Sequence, residues 1–137
     1  MVRELIHDSI FLSQKSEKAV KSDKEIAKDL LDTLLSHKDG CVGMAANMIG
    51  ELKNIIAFDA GGKYMIMYNP EITETSGEYE TEEGCLSYTG GPVKTKRYRS
   101  IRVEYEDEKF KKCSKVFTGF TAQIIQHEID HCKGVLI

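Results

Sequence analysis

Apolar residues at Ile26, Leu30, Leu31, Leu34 and Leu35 recur at the three-to-four-residue spacing of one helical face. Ser22-Asp23-Lys24-Glu25 reads as a capping box before them and Gly40 as a stop after them, so the spacing predicts one amphipathic helix over 22–40. Beyond it the period shortens. Asn54-Ile55-Ile56-Ala57-Phe58 and Tyr64-Met65-Ile66-Met67-Tyr68 flank Asp59-Ala60-Gly61-Gly62, which predicts a β-hairpin whose second strand ends at Asn69-Pro70. Short alternating runs predict further strands around 72–79, 92–99, 101–105 and 112–117, and a last helix is predicted over 118–132. A helix, several strands and a late helix make the fold class α+β.

Nothing in the chain divides it. The 137 residues carry no repeat, low-complexity tract or linker and suit a single domain over 1–137. A formal net charge of -3 leaves no basic surplus for a nucleic-acid backbone, so DNA is not expected as a partner. No stretch approaches the roughly 20 apolar residues of a membrane span, and charges interrupt the apolar residues of Met1-Val2-Arg3-Glu4-Leu5-Ile6. A cytoplasmic location is therefore expected. In that reducing compartment Cys41, Cys85, Cys113 and Cys132 suit thiol or metal-ligand roles better than disulfides.

His127-Glu128-Ile129-Asp130-His131 fits H-E-x-x-H, which sets two imidazoles one helical turn apart on one side. At about 100° per residue, Ala122, Ile125, Ile129 and Cys132 share one face, Gln123, Gln126 and Asp130 a second, and Ile124, His127 and His131 a third. Such a helix is expected to be buried around much of its circumference, with its histidines aimed at a dry place. No Asp, Glu or His follows His131, so a third metal ligand is expected upstream. His7 and His37 are available but isolated. Cys85, in Glu82-Glu83-Gly84-Cys85-Leu86-Ser87, is better placed because Gly84 permits the backbone to bend beside it. Cys41, Cys113 and Cys132 read as small buried side chains.

Glu83-Gly84-Cys85-Leu86-Ser87 and Gln126-His127-Glu128-Ile129-Asp130-His131 together resemble the second and third motifs of the peptide deformylases. The resemblance extends to Tyr68-Asn69-Pro70-Glu71-Ile72, Lys96-Arg97-Tyr98, Gly119-Phe120-Thr121-Ala122 and Gly134-Val135-Leu136. The first motif, G-x-G-L-A-A-x-Q, resembles Cys41-Val42-Gly43-Met44-Ala45-Ala46-Asn47-Met48, with Cys41 in place of a glycine and Met48 in place of the glutamine.

What the resemblance implies is antiparallel strands around a central H-E-x-x-H helix and removal of the formyl group from N-formylmethionyl peptides. It implies one divalent metal ion, usually Fe2+, with Zn2+, Ni2+ or Co2+ able to replace it, held by Cys85, His127 and His131. Glu128 would carry the proton. The backbone N–H of Leu86 would stabilise the oxyanion, and Val42, Gly43 and Gly84 would line the edge on which the peptide lies. Glu83, Ile124 and His127 would border the methionine pocket, where Glu83 could equally be a solvated acid in the run Glu80 to Glu83. The ribosome is a further implied partner, although the chain stops at Ile137, short of the extension some members carry. Met48 occupies the position of a side-chain oxyanion donor, and a thioether donates no hydrogen bond. This leaves a slow enzyme, a substitute donor such as Asn47, or a protein with weak or lost activity that binds formyl-peptides or metal. A zinc peptidase of another family is disfavoured by the lack of a downstream ligand.

Overall fold

A computed structural model of the chain describes residues 1–84 and 91–137. Five antiparallel strands form one sheet in chain order: β1 (Gly43–Ala45), β2 (Ile55–Asp59), β3 (Tyr64–Glu83), β4 (Val93–Glu106) and β5 (Lys112–Thr118). Helix α2 (Lys24–Ser36) covers one face and α3 (Gly119–Cys132) the other, with a short α1 (Ser9–Leu12) before them. In β2 the side chains alternate. Ile56 and Phe58 pack with Ile125 and Ile129 of α3, whereas Ile55 and Ala57 pack with Leu30 and Leu34 of α2. This explains why 55–58 reads as an unbroken apolar run: both faces of that strand are buried.

Four predicted boundaries change. The first helix begins at Lys24 after a 3-10 turn over Lys21–Asp23, and the side chain that closes its start is Asp23, which accepts the Val20 N–H at 2.8 Å. The helix ends at Ser36, so Gly40 closes a later turn. Asn69-Pro70 does not end a strand. Asn69 turns to φ +52° where the β3–β4 register shifts between Tyr68 and Glu71, and β3 runs on to Glu83. A bulge places the proline where no ladder hydrogen bond is asked of it. The Asn69 amide is clamped to the Ala19 N–H and carbonyl at 2.8 and 3.0 Å, which holds the unusual backbone. The runs expected at 92–99 and 101–105 are one strand, β4.

The strand β1 is too short to declare itself by alternation. Among the described residues it pairs with β2 alone, Gly43 opposite Phe58 and Ala45 opposite Ile56, and so forms an edge of the sheet. A 3-10 turn over Ala46–Ile49 follows it. No helix is long and apolar enough to cross a membrane among the described residues.

Candidate active site

Helix α3 is set against the sheet by its polar face as well as its apolar one. Gln126 Oε1 accepts the Tyr98 N–H and its Nε2 donates to the Tyr98 carbonyl, both at 2.9 Å, so one side chain stitches the helix to β4. Asp130 accepts from Arg97 Nη1 at 2.7 Å, and Gln123 Nε2 donates to Glu83 at 2.9 Å. The polar stripe of α3 therefore faces charged side chains of β3 and β4, and the histidine stripe is left to point into the site.

His127 Nε2 and His131 Nε2 stand 3.0 Å apart. On its far side, His127 Nδ1 lies 2.7 Å from Glu83 Oε1. Glu83 in turn receives Arg97 Nε and Nη2, at 3.0 and 2.7 Å. Burial alone would raise the Glu83 carboxyl; the hydrogen bonds from His127 and Arg97 outweigh it and hold the group down at about 2. An ionised carboxylate only accepts, so the His127 Nδ1 carries the proton between the two groups. Burial, with His127 and Arg97 adding to it, lowers His131 to about 3, so that ring is neutral near pH 7.

Glu128 sits beside this pair, 4% exposed, and its Oε1 meets no hydrogen-bond partner among the described residues. Burial pushes its carboxyl up to about 7. The opposite wall comes from β1 and the turn after it. A Cβ on Gly43 would stand 2.9 Å from Glu128 Oε2 and 2.7 Å from Ile124 Cγ2, so only glycine lets the two walls approach this closely. Met48 is 1% exposed, and its sulfur accepts the Ala45 N–H at 3.5 Å. Asn47 points the other way: its Nδ2 donates to the His131 carbonyl at 2.9 Å, and it does not line the pocket. It is therefore no substitute oxyanion donor, which corrects the expectation drawn from its place beside Met48.

Val42, Gly43, Met48, Glu83, Gly84, Ile124, His127 and Glu128 line one pocket of about 460 Å3, with Phe120 and Gln123 beside them. His131 lies behind His127, 1% exposed. Glu83 is 8% exposed and bonded on three sides, so it is no solvated acid. Cys85 and Leu86 lie outside the described residues. Arg97, Asp130 and Gln123 escape sequence reasoning as site residues. A usable signal exists in β3, where Tyr79, Thr81 and Glu83 turn inward while Glu80 and Glu82 are exposed.

The residues present fit a divalent cation. Two imidazole nitrogens at 3.0 Å, on rings of which one is oriented by Glu83, suit a shared positive charge between them. Among the described residues no three His, Cys, Asp or Glu side chains gather around one point, so a third ligand has to come from elsewhere.

The polypeptide deformylase sequence pattern matches residues 5–137. A peptide deformylase of Clostridium beijerinckii is 50% identical over 137 residues, covering all of both chains. The crystal structure of a peptide deformylase from Legionella pneumophila superposes with a TM-score of 0.89 at 29% identity, covering 99% of this chain and 83% of that one. A peptide deformylase from Acinetobacter baumannii, solved with Met-Ala-Ser bound, has a TM-score of 0.87 at 26% identity and covers 99% of this chain and 96% of that one. Fold and relatives thus define a metal-dependent hydrolase. The chain belongs to the polypeptide deformylase family, and its reaction is removal of the formyl group from the N-terminal methionine of new polypeptides. The alternative of a formyl-peptide or metal-binding protein without activity is not favoured by these matches.

Proposed function

We propose that one divalent ion is held by His127, His131 and Cys85, that the ion is Fe2+ in the cell, and that Glu128 moves the proton of the reaction. The observation that carries this reading is the convergence of the two Nε2 atoms at 3.0 Å beside a buried carboxyl group. Bound there, the ion supplies Lewis acidity, which acidifies water toward neutral pH.

The chain's own residues do the rest. Glu83 keeps the His127 proton on Nδ1 and so keeps the ring in the ligating tautomer and orientation. Glu128, with a proton affinity near neutrality, takes a proton from water as its oxygen attacks the formyl carbon. As the C–N bond breaks, the same carboxyl group hands that proton to the departing amine, leaving formate and a free N-terminus. The open edge of β1 offers Gly43 backbone groups, with Val42 beside them turned to the Asp59 N–H at 2.8 Å, for an extended peptide to pair with, a mode that gives affinity with little demand on sequence. The Leu86 N–H serves the oxyanion. Met48 adds no donor to it, so the rate of this enzyme is set below what a glutamine there would permit.

The substrates are N-formylmethionyl chains at or near the ribosome, which makes the ribosome a partner and the cytoplasm the place of action. Protein prepared anaerobically and loaded with iron is expected to hydrolyse formyl-Met-Ala-Ser. Metal content is expected to fall in Cys85→Ala, His127→Ala and His131→Ala. Glu128→Ala is expected to keep its metal and lose nearly all turnover. Full metal occupancy in any of the three ligand variants would remove that residue from the site, and retained turnover in Glu128→Ala would end its assignment.

A further inference from the structure

Three buried polar atoms around the last turn of α3 meet no hydrogen-bond partner among the described residues: His131 Nδ1, Asn47 Oδ1 and Ser16 Oγ. Each belongs to that turn or to a residue bonded to it. Asn47 Nδ2 donates to the His131 carbonyl at 2.9 Å, and the Ser16 N–H donates to the Cys132 carbonyl at 2.8 Å. Since a carbonyl can only accept, the contact also fixes which end of the Asn47 amide is oxygen. Gly134 brings the N-terminal segment in. At φ +79° it has no Cβ, and one built there would stand 2.3 Å from the Ser13 carbonyl oxygen.

His127 and His131 are treated unequally by the rest of the chain. His127 gives its Nδ1 proton to Glu83. If His131 presents Nε2 to the ion, its own proton lies on Nδ1, and a ligating histidine almost always donates that second N–H to an acceptor. Asn47 Oδ1 is an unpaired acceptor held at the same helix end, yet no direct hydrogen bond joins the two. The Ser16 hydroxyl both donates and accepts. Three unpaired groups are the usual complement of one buried water.

We infer that Asn47 is the positioning residue of His131. Its Oδ1 receives the Nδ1 proton through one buried water that Ser16 Oγ also binds, so Ser16 and Asn47 fix the tautomer and ring angle of the second histidine as Glu83 fixes those of the first. The inference rests on the reading of His131 as a ligand. It also gives Asn47 two separable jobs: the Nδ2 donor ties the 3-10 turn to α3, and the Oδ1 acceptor serves the ring.

Substitutions separate them. Cobalt(II) affinity of the full chain, measured by competition with a chromogenic chelator, is expected to weaken about 10–100-fold in Asn47→Leu. Asn47→Asp keeps an acceptor while losing the donor, so its cobalt affinity and visible spectrum are expected to stay near wild type although the metal-free protein melts earlier. Asn47→Leu binding cobalt as tightly as wild type, or Asn47→Asp binding as weakly as Asn47→Leu, overturns the inference. Should Asn47→Leu fail to fold, Ser16→Ala decides: weakened affinity supports the shared water, and unchanged affinity overturns it. His131→Ala in the same titration keeps the two ideas apart. If His131→Ala still binds cobalt, the ligand assignment itself fails; if it does not bind while Asn47→Leu binds normally, only the present inference fails.

Discussion

The site has two walls built by different means. On the α3, β3 and β4 side, position is set by charge: buried Glu83, Arg97 and His127, with half-buried Asp130 and Gln123, form one network drawn from three elements. On the β1 side, position is set by shape, through Gly43, Ala45, Ala46 and Met48, all buried and none charged. A charged wall holds its geometry because each member is costly to leave unpaired in a medium of low dielectric. An apolar wall holds its geometry because nothing larger fits. The first tolerates substitution badly wherever a charge is removed, and the second wherever volume is added.

Arg97→Leu should have the largest effect, since it leaves Glu83 and Asp130 without their cation. The Arg97 and Glu83 side chains are 5% and 7% exposed, and removing one member of so buried a pair typically costs about 3–5 kcal/mol. Urea unfolding of the metal-free protein measures it. A loss below about 1 kcal/mol would show that the desolvation of the pair already offsets its attraction, and the contrast between the walls would disappear.

On the other wall, Met48→Gln adds a donor where none exists. If its amide reaches the formyl oxygen, kcat should rise with little change in KM, up to the roughly 10²–10³ of one oxyanion donor. Steady-state kinetics on the iron-loaded variant will show it, and an unchanged kcat would mean that the Met48 position does not face developing charge. Gly43→Ala tests shape directly. Its Cβ would collide with Glu128 and Ile124, and a displacement of about 1 Å at a catalytic group costs on the order of 10²-fold in kcat/KM. Metal binding should persist; wild-type turnover would show that β1 can retreat.

The smallest effect belongs far from both walls. Lys96 and Glu78 pair at 3.4 Å on the hairpin of β3 and β4 with both side chains largely exposed, so Lys96→Ala should shift stability by no more than about 0.5 kcal/mol. A larger shift would mean that this hairpin is coupled to the network around Arg97, its sequence neighbour.

The periodic elements of the fold were easier to read in the sequence than the charged wall. The helix stripe of Ile26, Leu30 and Leu34, the run 55–58 and the H-E-x-x-H spacing are all local periodicities, and local periodicity survives in a one-dimensional string. Met48 was conspicuous as a departure from a motif. The charged network joins residues 83, 97 and 130, far apart in the chain, and no period relates them. Asn69-Pro70 misled for the opposite reason. A proline normally marks the end of a strand, but an asparagine at positive φ and its clamp on Ala19 turn the same dipeptide into a bulge. Asn47 could not be placed from its neighbour: in a 3-10 turn, adjacent side chains point about 120° apart, so Met48 lines the pocket while Asn47 reaches the helix.

The hydrogen bond from Asn47 to His131 spans 84 positions of the chain. Contacts of that separation form late, because the loop-closure entropy must be met before the contact returns anything. The two histidines also follow every strand of the sheet in order of synthesis. The centre we propose is therefore completed only when α3 has docked on a sheet whose strands all precede it: an enzyme that acts on unfinished chains finishes its own site after its sheet.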